Sequence, residues 1–253
     1  MNTYKTAEIA HHIGIHPNTV RLYEELGLIP KPDREANGYR VFTDFHMEQF
    51  KFARTALKVE VLQNGLRKKA IDIIKISALG DFDSAIQLTE SYLQQIKREQ
   101  RNAEEAIRIA KQLLSGSKQG RDSIFFTRKE TADHLQISMD ALRNWEMNGL
   151  LTVKRKQNGY RMYTDEDIRL LKIISSLRCA NYSLAAILRM LSALSSNPQA
   201  NIRQVIDTPK ESDDIISVCD KLLTSLQNAK KNAQSMLIQL EKMKNQFKTN
   251  PTL

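Results

Sequence analysis

A stretch near the start of this chain recurs in its second half. Tyr4–Asp44 reads YKTAEIAHHIGIHPNTVRLYEELGLIPKPDREANGYRVFTD, and Phe126–Asp165 reads FTRKETADHLQISMDALRNWEMNGLLTVKRKQNGYRMYTD. Glu8 pairs with Glu130, Ala10 with Ala132, Ile15 with Ile137, Arg21 with Arg143 and Glu24 with Glu146 at one constant offset. Gly27-Leu28 matches Gly149-Leu150. The segment Asn37 to Arg40 matches Asn158 to Arg161 after a one-residue gap in the intervening loop. Chance does not set so many identities in one order with one gap, and that gap in a loop. The chain carries a duplicated domain, and 253 residues give each copy room for its own core.

Both copies read alike locally. Thr127 with Glu130 three residues on is a capping box opening a first helix; in the first copy Thr6 is the expected cap. Ile9, Ala10 and Ile13, matched by Thr131, Ala132 and Leu135, supply that helix's buried side. His16 before Pro17, or Ser138, then opens a second helix. Gly27 and Gly149 end it in a left-handed conformation. NGYRVFT and NGYRMYT alternate like a small β-wing turned by Asn-Gly, and a third helix begins near Asp44 and Asp165. Helix, turn, helix and wing is a DNA-reading layout. A net charge of +9 agrees with a polyanionic partner.

The runs TAEIAHHIGIHPNTVRLYEELGLI and NGYRVFTD resemble the DNA-binding domain of the MerR family of transcription regulators. KETADHLQISMDALRNWEMNGLL with NGYRMYTDEDIRLL resembles a more diverged member, and SLRCANYSLAAILRML resembles the helical pair that follows the wing. ALKVEVLQNGLRKKAIDII, at the equivalent place in the first copy, departs from that pattern. The resemblance implies a sequence-specific regulator of double-stranded promoter DNA. Such a regulator bends and untwists an over-long promoter spacer and works with RNA polymerase at the same site.

On the second helix, Val20 and Leu142 are expected in the core. The opposite face carries Asn18, Arg21, Leu22 and Glu25, with Thr19 beside them, and in the second copy Asp140, Arg143, Asn144 and Met147. Arginine pairs with guanine or phosphate, and asparagine with adenine edges. Arg21 and Arg143 could be solvated surface arginines, but their recurrence at one place favours DNA. Tyr23 and Trp145 resemble a family position that lies against the DNA backbone; packing against the wing is the alternative, and both stay open. Wing residues Tyr39, Arg40, Lys154, Arg155, Lys156, Tyr160 and Arg161 are placed for phosphates. Phe42 and Tyr163 read as core.

A seam of Ile86, Thr89, Leu93, Ile96, Gln100, Ala103, Ile107, Ala110 and Leu114 steps by three and four residues, as in a coiled coil. A second seam runs Ile215, Cys219, Leu222, Leu226, Ala229, Ala233, Met236, Leu240, Met243 and Phe247. The resemblance implies one such helix per subunit, paired antiparallel across a homodimer. With both helices in one chain, they are expected to pair with each other, giving a pseudo-dimeric monomer; a homodimer with four reading units is the competing arrangement. The expected fold is therefore mainly α. A first winged helix-turn-helix domain spans 1–70, a connector and long helix 71–115, and a linker 116–123. A second winged domain spans 124–194, and a connector, long helix and tail 195–253.

Two cysteines suit a reducing cytosol, and the start lacks a signal pattern, so a cytoplasmic protein is expected. No cofactor and no metal site is expected. Cys179 is read as packing within its helical connection, and Cys219 as a seam residue. His11 and His12 diverge on their helix and do not chelate together. No phosphate-binding glycine loop, HExxH or nucleophile motif suggests an enzyme. A small-molecule effector stays open, with Lys58–Asp83 and Ser195–Ser212 as candidate segments. The rival reading is an architectural protein bridging two DNA segments, and an enzyme acting on DNA comes third.

Overall fold

Short local signals decide where each helix of the repeat starts and stops. A computed structural model describes residues 2–59, 65–115, 125–155, 159–208 and 221–247, among which the chain is mainly α, with eleven helices and five short strands. It divides into two compact units: Met1–Arg98 with Ser225–Leu253, and Glu99–Thr224.

In the first unit the order is β1 (Thr3–Tyr4), α1 (Thr6–Ile13), α2 (Pro17–Glu25), β2 (Asp33–Arg34), β3 (Arg40–Thr43), α3 (Asp44–Ala56) and α4 (Leu66–Ala78). Thr6, the expected cap, is instead the first helical residue. The preceding Lys5 is extended, and its backbone N–H donates to the Glu8 carboxylate at 2.6 Å. Lysine has no acceptor to offer in return, so only half of a capping box forms. His16 does cap α2: its Nδ1 accepts from the Asn18 N–H at 3.2 Å, and Pro17 occupies the first turn. Gly27 (φ +67°) ends that helix, as expected of a residue without a Cβ. Strands β2 and β3 pair antiparallel, with β1 on the far edge of β3.

Ile9, Val20, Phe42, Phe50 and Phe52 form the centre of this unit, and Tyr23 stacks on Phe50 at 5.4 Å. A buried amide sits among them. Gln49 Nε2 donates to the carbonyls of Leu28 (3.0 Å) and Ile74 (2.9 Å), and its Oε1 accepts from the Ser77 hydroxyl (2.8 Å). These bonds tie α3 to α4 and to the residues following α2, and they satisfy a group that would be costly to bury unpaired.

The second unit repeats the plan with α6 (Arg128–Leu135), α7 (Met139–Met147), β4 (Lys154–Arg155), β5 (Arg161–Met162) and α8 (Asp165–Cys179), then adds α9 (Leu184–Ser196) and α10 (Ile202–Asp207). Thr127 and Glu130 form the expected capping box, and the Ser138 hydroxyl accepts from the Ala141 N–H. Leu142, Tyr163, Leu171, Ile174 and Tyr182 form its core. Cys179 departs from expectation. It ends α8 on that helix's outer side and is exposed rather than packed.

Two long helices complete the chain: α5 (Phe82–Ser115) and α11 (Leu222–Phe247). Thr89, Leu93, Ile96, Ala103, Ile107 and Ala110 of the first seam are buried, but Leu114 is exposed. Burial also widens to Ala85, Tyr92 and Ala106, beyond a two-position seam. On α11, Leu222, Leu226, Ala229, Ala233, Met236, Leu240 and Met243 are buried; Ile215 and Cys219 lie outside the described residues, as does the linker 116–123. Within the first unit Lys244 pairs with Asp83, and the Phe247 ring lies 5.2 Å from that of Phe45. In the second unit the Asp207 carboxylate accepts the N–H groups of Leu223 (2.8 Å) and Thr224 (3.2 Å), closing the start of α11. Among the described residues, no helix is long and apolar enough to cross a membrane.

His46 gives α3 a pH dependence. Its Nδ1 accepts from the Thr43 N–H at 3.0 Å, which requires an unprotonated nitrogen. Burial holds its pKa below the usual histidine value, partly opposed by Asp33, the Pro30 carbonyl and Glu24. The unfolded chain then takes up the proton first, so the stability that neutral His46 supplies is present above the ordinary histidine range and is lost as pH falls through it. Lowering the pH from about 7.5 to about 5.5 should reduce the urea midpoint of the wild type. His46→Gln, which keeps an acceptor without the titration, should show a smaller decrease.

Candidate nucleic-acid interface

The 3.6-residue period of α2 and α7 sorts their side chains into two sets. Val20 and Tyr23 point inward on α2, as do Leu142 and Trp145 on α7. Asn18, Arg21, Leu22 and Glu25 are exposed on α2 with Thr19 half-buried, and Asp140, Arg143, Asn144 and Met147 are exposed on α7. Each helix thus presents one exposed stripe with an arginine in its middle and one apolar side chain, Leu22 or Met147, beside it. Of the two roles open for Tyr23 and Trp145, these positions favour packing.

The hairpins are held against these helices by a repeated carboxylate clamp. Glu24, only 12% exposed, receives the Nε of Arg40, with Arg34 at 3.6 Å on its other oxygen. Glu146, 8% exposed, receives Arg161 Nε at 2.6 Å and Arg128 at 2.9 Å, and the Tyr163 hydroxyl also donates to it. Burial first, and Glu146 second, push the Tyr163 phenol up to about 12, so it remains a donor at neutral pH. Charged hydrogen bonds in such sheltered places count for more than surface pairs. Arg40 and Arg161 therefore fix the hairpin to the second helix, a role the sequence reading had not given them.

Tyr39 and Tyr160 project from the hairpin tips and are exposed, and so are Lys154 and Arg155. Lys156 lies outside the described residues. Gly38 (φ +83°) and Gly159 (φ +80°) shape the tips. In the first unit a notch is lined by Lys5, Thr6, Pro17, Arg21, Tyr39 and Arg40, among others. It brings a helix N-terminus and three cationic side chains together, a setting suited to a phosphate. Lys5 was missed by sequence reasoning because the second copy has Thr127 at its place; its position immediately before α1 was the available signal. One asparagine is partly occupied, since the Asn144 amide oxygen accepts from Asn148. Among the described residues, no group of three or more His, Cys, Asp or Glu is placed to hold a metal ion.

Comparison with known proteins locates similarity on these same two regions. The model described as MerR family regulatory protein matches residues 5–42, and the one described as MerR HTH family regulatory protein matches 126–194. The chain is similar to the mercuric resistance operon regulatory protein of Bacillus cereus, at 31% identity over 65 residues, 26% of this chain and 49% of that protein. It is similar to the HTH-type transcriptional regulator CueR of Salmonella typhimurium, at 36% over 53 residues, 21% of this chain and 38% of CueR. The HTH-type transcriptional regulator YfmP of Bacillus subtilis is 39% identical over 49 residues, 19% of this chain and 35% of YfmP. The chain thus spans half or less of the length of these relatives, which are regulators rather than enzymes. No solved structure matches it at a significant level.

Removing the clamp should be costly in a way that an exposed ion pair is not. Glu146→Ala leaves Arg128, Arg161 and Tyr163 without their acceptor and should lower stability by about 2–3 kcal/mol in chemical denaturation. Arg203→Ala breaks the exposed pair with Glu104 and should cost less than about 1 kcal/mol. Equal losses would contradict the clamp.

Proposed function

From a chain that carries two MerR-family helix-turn-helix regions in tandem, we infer a transcriptional regulator that binds one asymmetric promoter site with both of its reading units. The observation that carries this reading is the pair of exposed stripes on α2 and α7. Each has the same central arginine, Arg21 or Arg143, among different neighbours. Asn18, Leu22 and Glu25 offer other chemistry to base edges than Asp140, Asn144 and Met147. The contact set consists of these residues with Thr19, Lys5, the hairpin tips at Tyr39 and Tyr160, and Lys154 and Arg155. Lys156 belongs to the same run. Arg40 and Arg161 position the wings and turn their remaining N–H groups toward phosphate. Tyr23 and Trp145 support the helices from inside.

One chain then supplies what two subunits supply in a homodimer, with α5 and α11 pairing antiparallel. Within the first unit, the end of α11 at Asp83 and Phe45 supports that direction. The site lies in a promoter spacer longer than usual. Holding both half-sites bends and untwists that spacer for RNA polymerase, a deformation of about several kcal/mol that firm contacts at both ends must offset. A small effector that shifts this equilibrium fits the scheme, and the protein works at the chromosome in the cytoplasm.

Sequencing of DNA recovered with the protein, followed by footprinting, tests the reading. One compact protected site between promoter elements is expected; two separated sites would replace regulation with bridging. One chain per minimal site is expected by light scattering of the complex. Arg21→Ala and Arg143→Ala should each weaken specific binding by about 1–3 kcal/mol. Operators made symmetric from either half-site should bind less tightly than the natural one, and equal affinity would refute the asymmetric reading.

A further inference from the structure

Two large apolar side chains stand where a DNA-reading stripe should be polar. Leu22 is 46% exposed beside Arg21 on α2, and Met147 is 74% exposed one turn beyond Arg143 on α7. Their inward neighbours, Val20, Tyr23, Leu142 and Trp145, already fill the cores beneath. Both leave a large part of their apolar surface uncovered in their own unit. Single exposed apolar residues are common on protein surfaces. These two are distinguished by lying on the same stripes as the repeated arginine.

The major groove offers an apolar side chain one distinctive partner among the four unmodified bases, the 5-methyl group of thymine; the other edges present donors and acceptors. We propose that Leu22 and Met147 are specificity determinants that each read a thymine methyl, one in each half-site. This rests on the DNA-binding reading above and goes further by naming the base. The equivalent positions are exchanged between copies. Asn144 stands where the first unit has Leu22, and Glu25 where the second has Met147. The apolar contact is therefore shifted by three residues along the helix, about 4.5 Å, or roughly one base-pair step. The preferred thymine is thus displaced relative to the arginine contact in one half-site compared with the other. Asn144, whose amide oxygen is already held by Asn148, makes the weaker reader of its own position.

Replacing thymine by deoxyuridine removes only the methyl group and tests this directly. The full chain is titrated by fluorescence anisotropy, at one fixed salt concentration, onto its recovered operator and onto duplexes carrying single uridine replacements. One position in each half-site should lose about fourfold in affinity, the value of one buried methyl-sized group. Leu22→Ala should abolish the thymine–uridine difference in the first half-site alone, and Met147→Ala in the second alone. Both side chains are exposed, so the variants should keep the wild-type urea midpoint, which is measured alongside. Tight, selective binding that no uridine replacement weakens would overturn the thymine assignment while leaving the DNA reading intact. So would a uridine penalty that survives both alanine substitutions. Absence of selective binding to any recovered duplex would overturn both.

Discussion

A carboxylate sheltered from water near the end of each second helix governs the geometry of both units. Glu24 and Glu146 sit where helix, hairpin and core meet, and each neutralises more than one arginine. An unpaired carboxylate there would be expensive, and so would an unpaired guanidinium. The hairpin is consequently held at one angle to the helix that carries the exposed arginine. The exposed stripe and the hairpin beside it are thus arranged by a contact sheltered beneath them. Arg40 and Arg161 hold the hairpin in place, while Arg21 and Arg143 of the same short sequence stand exposed.

The plan of each unit was legible because its signals are local. Pro17, Ser138, Gly27 and Gly149 act within a turn of themselves, and the repeat confirmed each reading against a second example. The inward and outward sides of α2 and α7 followed from helical period alone, with Phe42 and Tyr163 in the core as expected. What escaped depended on distance. Glu24 and Glu146 were visible as matched identities, but their partners lie across a loop whose path no local signal reports. Gln49 joins carbonyls from two other segments, and nothing in its neighbourhood announces that. Cys179 was read as packed because cysteine usually is; the end of α8 turns it outward.

The two copies also solve equivalent problems with different chemistry. His46 closes the start of α3, whereas Asp167 closes that of α8. Gly14 ends α1 in the left-handed region, while Gln136 takes the same conformation after α6 against the preference of a residue with a Cβ. The fold tolerates these exchanges because each keeps its local hydrogen bonds: an imidazole or a carboxylate accepts from the threonine N–H, and the backbone N–H of Gly14 or Gln136 returns to equivalent helical carbonyls.

Duplication within one chain alters how such a surface is inherited. In a homodimer a single codon writes both recognition helices, so any substitution changes both halves of the target together, and the operator must change twice to follow. Here Arg21 and Arg143, with their neighbours, are separate codons. Under the proposed reading, a replacement at Leu22 would edit one face and leave the other with its own arginine and clamp unchanged. Drift of the two stripes can therefore proceed one at a time.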